Sequence, residues 1–183
     1  MKTLLVTGYK PHELGIFDQK HIGITYIKKA LQKRYIPLIE EGIEWIIISG
    51  QPGVELWAAE CAYELKELYP ELKVAVLPPF LEQEGQWKEE SKERYRDVLN
   101  QADFVKPITN RVYDNPSQLR LKNDFLIEKS DALLLLYDHD QPGTPKFYLE
   151  PALKKQNSAS DYPIFYLTPE DIEDARREEE MDW

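Results

Sequence analysis

The stretch EWIIISGQPGVELWAAE, Glu44 to Glu60, runs from a β-branched segment through a turn bracketed by two glycines into an apolar-faced helix start. Unbroken hydrophobicity over Trp45–Ser49, without polar alternation, fits a strand buried on both faces of a parallel sheet. Five further runs share that character: Thr3–Thr7, Lys73–Leu77, Phe104–Thr109, Ala132–Tyr137 and Pro163–Leu167. Pro107 lacks a ladder donor, which assigns the Phe104 run to a sheet edge or a strand end. Helix-length segments separate the runs. Ile22–Glu41 carries Ile24, Ile27, Leu31, Tyr35 and Leu38 at the spacing of one helix face. Gly53–Tyr69, Trp87–Ala102, Pro116–Lys129 and Pro169–Glu180 read as further helices. After the fifth run, Pro151 predicts that a helix begins only near Glu150, leaving 138–149 as a mobile loop over the site. The alternation predicts an α/β fold, a Rossmann-like three-layer sandwich. Its sheet is mostly parallel, of about six strands, with helices on both faces.

The chain has 183 residues, a formal net charge of −10 and one cysteine. At ~100–200 residues per domain the length predicts one domain, spanning 1–169, with 170–183 as its acidic C-terminal helix or tail. The fourteen residues from Glu170 hold eight acidic and two basic side chains, so most of the excess charge belongs there. An acidic balance argues against nucleic acid or an anionic membrane as partner, but says little against one small phosphate-bearing molecule. Cys61 alone forms no internal disulfide. The opening MKTLLVTG is too short for a signal peptide, and no run approaches the ~18–20 apolar residues that span a bilayer. A cytoplasmic protein without membrane insertion is expected. His12, His21 and His139 lack metal-ligand spacing, so neither a metal nor a resident cofactor is expected. No feature singles out a protein partner.

In open parallel sheets the ligand sits beyond the carboxyl ends of the strands, so the segments after each run supply the candidates. Gly8, Tyr9 and Lys10 follow the first run; Ser49, Gly50, Gln51 and Gly53 follow the second. Their glycine turn allows close approach by a ligand, and the helix behind it offers free N–H groups to an oxyanion. Glu55 falls in that helix's first turn, where the dipole favours a carboxylate by ~0.3–1 kcal/mol. It serves as helix-start chemistry, accepts hydrogen bonds from a ribose, or acts as nucleophile or base at a glycosidic carbon. Pro79 and Phe80 follow the third run, Arg111 the fourth, and Asp138, Gly143, Thr144 and Lys146 the fifth. Tyr9, Phe80, Trp57 and Trp87 are candidates for stacking on a base. No Walker A loop, GxGxxG fingerprint or G-x-S-x-G elbow is present.

Longer motifs resemble the YpsA family, within the SLOG superfamily of Rossmann-like proteins that includes the DprA and LOG relatives. They are T-G-Y-K-P-x-E-L-G-I-F at Thr7–Phe17, I-S-G-Q-x-G-V-E-L-W-A-A-E at Ile48–Glu60 and Y-P-E-L-K-V-A-V at Tyr69–Val76. P-F-x-x-Q at Pro79–Gln83, K-N-x-F-x-I-x-K-S-D at Lys122–Asp131, and L-L-L-L-Y-D with G-T-P-K over Leu133–Lys146 complete the set. The resemblance implies a pocket for a nucleotide or nucleotide-derived ligand, with Gly8, Ser49, Gly50, Gly53 and Glu55 in its motifs. It also implies a ligand-side role for Asn123, which matches the asparagine preceding the fifth strand in relatives. Lys122 stands where many of those relatives carry arginine. LOG enzymes cleave nucleotide N-glycosidic bonds with a P-G-G-x-G-T-x-x-E loop; here Phe147 stands three residues after Thr144, in place of the glutamate. The expectation is therefore a sensor or regulatory module binding a small nucleotide-like molecule. The alternative is a nucleotide N-glycosidic hydrolase or transferase using Glu55, with Asp124 or Asp138 as further carboxylates. A DprA-like DNA-processing role comes third, because single-strand binding calls for a basic groove.

Overall fold

In the computed structural model, which describes residues 1–158 and 161–181, the six apolar runs form six strands. These are β1 (Thr3–Thr7), β2 (Trp45–Ile48), β3 (Lys73–Val76), β4 (Phe104–Val105), β5 (Ala132–Leu136) and β6 (Ile164–Leu167). They pair in parallel throughout, in the order β4-β3-β2-β1-β5-β6. Burial follows that order. Leu4, Leu5, Val6 and Leu133, Leu134, Leu135 of the central pair have no exposed surface, whereas Phe104 and Val105 at the edge are exposed. Pro107 stops β4 after two residues, so the Phe104–Thr109 strand is confined to its first third.

The helices are α1 (Ile22–Glu40), α2 (Val54–Leu65), α3 (Glu89–Gln101), α4 (Ser117–Lys129), α5 (Lys146–Asn157) and α6 (Pro169–Met181). α1 packs on α2 and α6, and α2 on α3; α4 and α5 form a separate pair. The result is a three-layer α/β sandwich. α6 is a docked helix rather than a frayed tail. Ala175 is fully buried, and Arg34–Asp171, Lys33–Glu178 and Lys29–Glu179 pairs tie it to α1 at 3.3, 2.7 and 3.1 Å. Residues 182–183 of the expected tail lie outside the described residues.

α5 corrects the expected loop over 138–149. It starts at Lys146 and runs through Pro151. Its start is held from a distant part of the chain, where Thr144 donates from its backbone N–H and its hydroxyl to the Glu13 carboxylate, at 2.9 and 2.6 Å. The preceding loop is tied down by Tyr9, whose hydroxyl accepts from Asp138 N–H at 2.8 Å and donates to the Gln141 carbonyl. Pro151 removes one N–H from the ladder, and this tertiary anchoring outweighs that loss. Among the described residues no helix is long and apolar enough to cross a membrane.

Candidate functional site

The sheet grows from β1 towards β2, β3 and β4 on one side and towards β5 and β6 on the other. Such a reversal opens a crevice beyond the strand ends. A cleft of about 440 Å³ lies there, floored by Thr7, Gly8 and Glu55. One wall is a single face of α4, with Leu119, Arg120, Asn123 and Asp124 at helical spacing beside Lys122; the other is Phe147, Tyr148 and Pro151 of α5, with Lys10, Gln51 and Thr144 completing the rim.

Glu55 is 2% exposed. Its Oε1 accepts from Ser49 N–H, Ser49 Oγ and Gly50 N–H at 2.8, 2.7 and 3.0 Å. Its Oε2 accepts from Thr7 Oγ1 at 2.7 Å and from the Tyr148 hydroxyl at 3.3 Å. The carboxylate thus gathers the ends of β1 and β2 and the start of α5 around itself. Its oxygens are occupied by the protein. Gly53 makes the turn that presents it, with φ +95°, and a Cβ there would lie 2.4 Å from the Tyr9 carbonyl.

Lys122 sits over this network, 3% exposed, and donates to the Tyr148 hydroxyl. Burial lowers its ammonium to about 8; nearby Glu55 opposes that shift and the charge of Lys10 adds to it. Burial and then the Glu55 charge push the Tyr148 phenol upward. Neither Lys10, Arg120 nor Lys122 makes an ion pair among the described residues. Three cations therefore line one cleft outside ion-pair distance of its carboxylates, Glu55, Asp124 and Glu150. Asn123 lies beside them, 8% exposed, and its Oδ1 is buried with no donor. Among the described residues no group of three or more His, Cys, Asp or Glu side chains is placed to hold a metal.

The expected residues divide cleanly. Gly8, Lys10, Gln51, Glu55, Asn123 and Thr144 line the cleft. Ser49 and Gly50 lie behind it as donors to Glu55, and Tyr9 and Gly143 support the rim, Gly143 packing against Tyr9 and Glu13. Pro79, Phe80, Arg111, Asp138 and Lys146 do not line it. Phe80 packs on Tyr113, Arg111 faces Asp114 at 3.8 Å, Asp138 accepts from Asp140 N–H, and Lys146 lies over Phe147. Lys122, which the resemblance set where relatives carry arginine, also lines the cleft, and Arg120, Tyr148 and Thr7 are cleft residues outside the expected set. The α4 spacing of 116, 119, 120, 123 and 124 carried a signal for Arg120; Tyr148 was hidden by the misplaced start of α5.

Burial of the Lys122 cation, which the nearby Glu55 charge offsets only in part, costs stability, and its replacement tests that. Lys122→Met is expected to raise the unfolding free energy at pH 7 by about 1–3 kcal/mol. The folded pKa near 8 lies below the unfolded 10.5, so the unfolded chain binds the extra proton in that window. Wild-type stability therefore rises relative to the variant from pH 8 to 10.5, and the gap closes. Paired thermal melts of both proteins at pH 7 and pH 10 measure it.

The YpsA family model, described as the YspA SLOG family, matches residues 4–172. A UPF0398 protein of Halalkalibacterium halodurans is 56% identical over 181 residues, covering 99% of this chain and 95% of its own length. The UPF0398 protein YpsA of Bacillus subtilis is 55% identical over 172 residues, 94% of this chain and 95% of its own. A solved structure of DNA processing protein A from Helicobacter pylori, described for its single-stranded DNA binding mode, matches with TM-score 0.56 and 14% identity. That match covers 90% of this chain and 64% of the other, and at this identity it shows the fold alone.

Proposed function

The chain belongs to the YpsA SLOG family, and we propose that it binds a small, phosphate-bearing, nucleotide-like molecule in the cleft beyond β1 and β5, as a sensor or regulatory module. The observation that carries this reading is the buried, donorless Oδ1 of Asn123 beside three unpaired cations. An unsatisfied buried acceptor costs about 1–3 kcal/mol, and a ribose hydroxyl or an exocyclic amine supplies the missing donor. Arg120 suits bidentate contact with a phosphate, and Lys10 and Lys122 add point charges. A cleft of about 440 Å³ falls within the ~300–1,000 Å³ of small-molecule sites. Glu55 acts here as a positioning residue. Its occupied oxygens favour binding over attack at a glycosidic carbon.

A thermal-shift panel of AMP, ADP, cyclic AMP, ribose 5-phosphate and a single-stranded oligothymidylate tests the reading. A binder at ~100 times its dissociation constant adds ~2.7 kcal/mol, or roughly 5–11 °C for a chain of this size. The oligonucleotide arm is included because a protein of the same fold binds single-stranded DNA. Stabilisation by the oligonucleotide alone would move the site to nucleic acid; no shift with any mononucleotide would remove the nucleotide reading.

The binding has a definite pH sign. An anion beside Lys122 raises its pKa, so complex formation takes up a proton near and above pH 8. Affinity for AMP is expected to fall as pH rises through about 8, and Lys122→Met to flatten that dependence. Titrations at pH 7 and pH 9 measure both effects.

A further inference from the structure

Lys122 brings a buried primary amine to a cleft whose lining also carries Arg120, Lys10 and Asn123, the last with its donorless Oδ1. We propose that this amine captures the open-chain aldehyde of a sugar phosphate as a reversible Schiff base, with the phosphate held by Arg120 and Lys10 and a sugar hydroxyl donating to Asn123 Oδ1. The proposal rests on the cleft taking a sugar phosphate, the part of the nucleotide reading that it shares, and adds a covalent step.

An amine attacks a carbonyl only in its neutral form, and removal from water favours that form. Leu119, Phe147 and Pro151 supply apolar wall around the cleft. The charged and titratable groups lining it are Glu55 from α2, Tyr148 and Glu150 from α5, Lys10 after β1, and Arg120 and Asp124 on α4 itself. Burial is the largest influence on Lys122 and outweighs the opposing pull of Glu55, while Lys10 adds to it, so that the ammonium titrates near 8. Tyr148 supplies the proton route. Its hydroxyl accepts from Lys122 Nζ and lies 3.3 Å from both Glu55 Oε2 and Ser49 Oγ. Burial and the Glu55 charge push that phenol upward, which keeps its proton in place for donation. In the first step the amine lone pair forms the C–N bond while the carbonyl π pair moves to oxygen. Tyr148 gives that oxygen its proton and takes one from the nitrogen, leaving a neutral carbinolamine. The nitrogen lone pair then expels the hydroxyl, which leaves as water with the remaining N–H proton, and a C=N bond stands in its place. No oxidant or reductant takes part, and water reverses both steps. A sugar locked in a glycosidic bond, as in AMP, has no aldehyde to offer and binds without reacting.

Incubation of the full chain with ribose 5-phosphate and sodium cyanoborohydride, which reduces an imine to a stable secondary amine, tests the proposal by peptide mass mapping. Lys122 is expected to label about 10-fold or more faster than any other lysine, Lys10 included. The ratio of Lys122 to surface labelling should be highest at and below pH 8 and fall towards pH 10, because ordinary lysines become neutral only there. Ribose without the phosphate should label Lys122 about 5-fold or more slowly. Lys122 labelling no faster than that of surface lysines, or equal with ribose and ribose 5-phosphate, would overturn the proposal. Excess AMP separates it from the nucleotide reading. Protection of Lys122 by AMP supports both, and rapid Lys122 labelling that AMP leaves unchanged keeps the Schiff base while counting against the nucleotide. AMP binding by calorimetry without Lys122 labelling overturns the Schiff base alone.

Discussion

Replacing Glu55 by alanine is expected to lower the unfolding free energy by about 3–5 kcal/mol, a loss of roughly 6–20 °C in melting temperature. The substitution strands Ser49 N–H and Gly50 N–H at the end of β2, and removes the acceptor for Thr7 and Tyr148. It also leaves the Lys122 charge buried without the one carboxylate that offsets its desolvation. Glu55→Gln keeps an oxygen for the Ser49 and Gly50 donors, so it should recover more than half of the loss. Thermal melts of the two variants check the ordering. A Glu55→Ala protein as stable as wild type would mean that the carboxylate is not structural. Its place in the floor of the cleft would then speak for chemistry on a ligand.

Gly53→Ala has the second large effect, expected at about 3 kcal/mol or more. Its φ of +95° is disfavoured for any residue with a Cβ, and the Cβ would meet the Tyr9 carbonyl at 2.4 Å, backbone against backbone. Tyr9 accepts the Val54 N–H through that same carbonyl. Relief of the clash therefore separates the β1 end from the start of α2 and disturbs the floor of the cleft. Denaturant unfolding should show a lower midpoint at unchanged m. Loss of ligand binding in this variant reports the lost turn, which makes Arg120 and Asn123 the better probes of the site.

The parallel sheet was legible because its strands are unbroken apolar runs, and β1 coincides with the expected Thr3–Thr7. Ser49, Leu77 and Tyr137 leave their strands one residue early, where the chain turns towards the crevice. The α5 start was not legible. Pro151 signals an interruption locally, whereas Glu13 fixes Thr144 from far away in the sequence. The site was half legible for a related reason. Looking beyond successive strand ends gathers residues from five places, but a cleft forms only where the strand order reverses. That order is set by pairing, so Pro79, Phe80 and Arg111 came from ends on the wrong side of the sheet. Lys122 was legible only through the resemblance, which puts it where relatives carry arginine; its burial beside Tyr148 was not.

The most direct measurement is titration calorimetry of AMP against wild type, Asn123→Ala and Arg120→Ala at pH 7. Saturable one-site binding by wild type, weakened 10-fold or more in each variant with their melting temperatures preserved, is the predicted result. No heat of binding to wild type, or variants that bind AMP as tightly as wild type does, would contradict a nucleotide site in the cleft between α4 and α5.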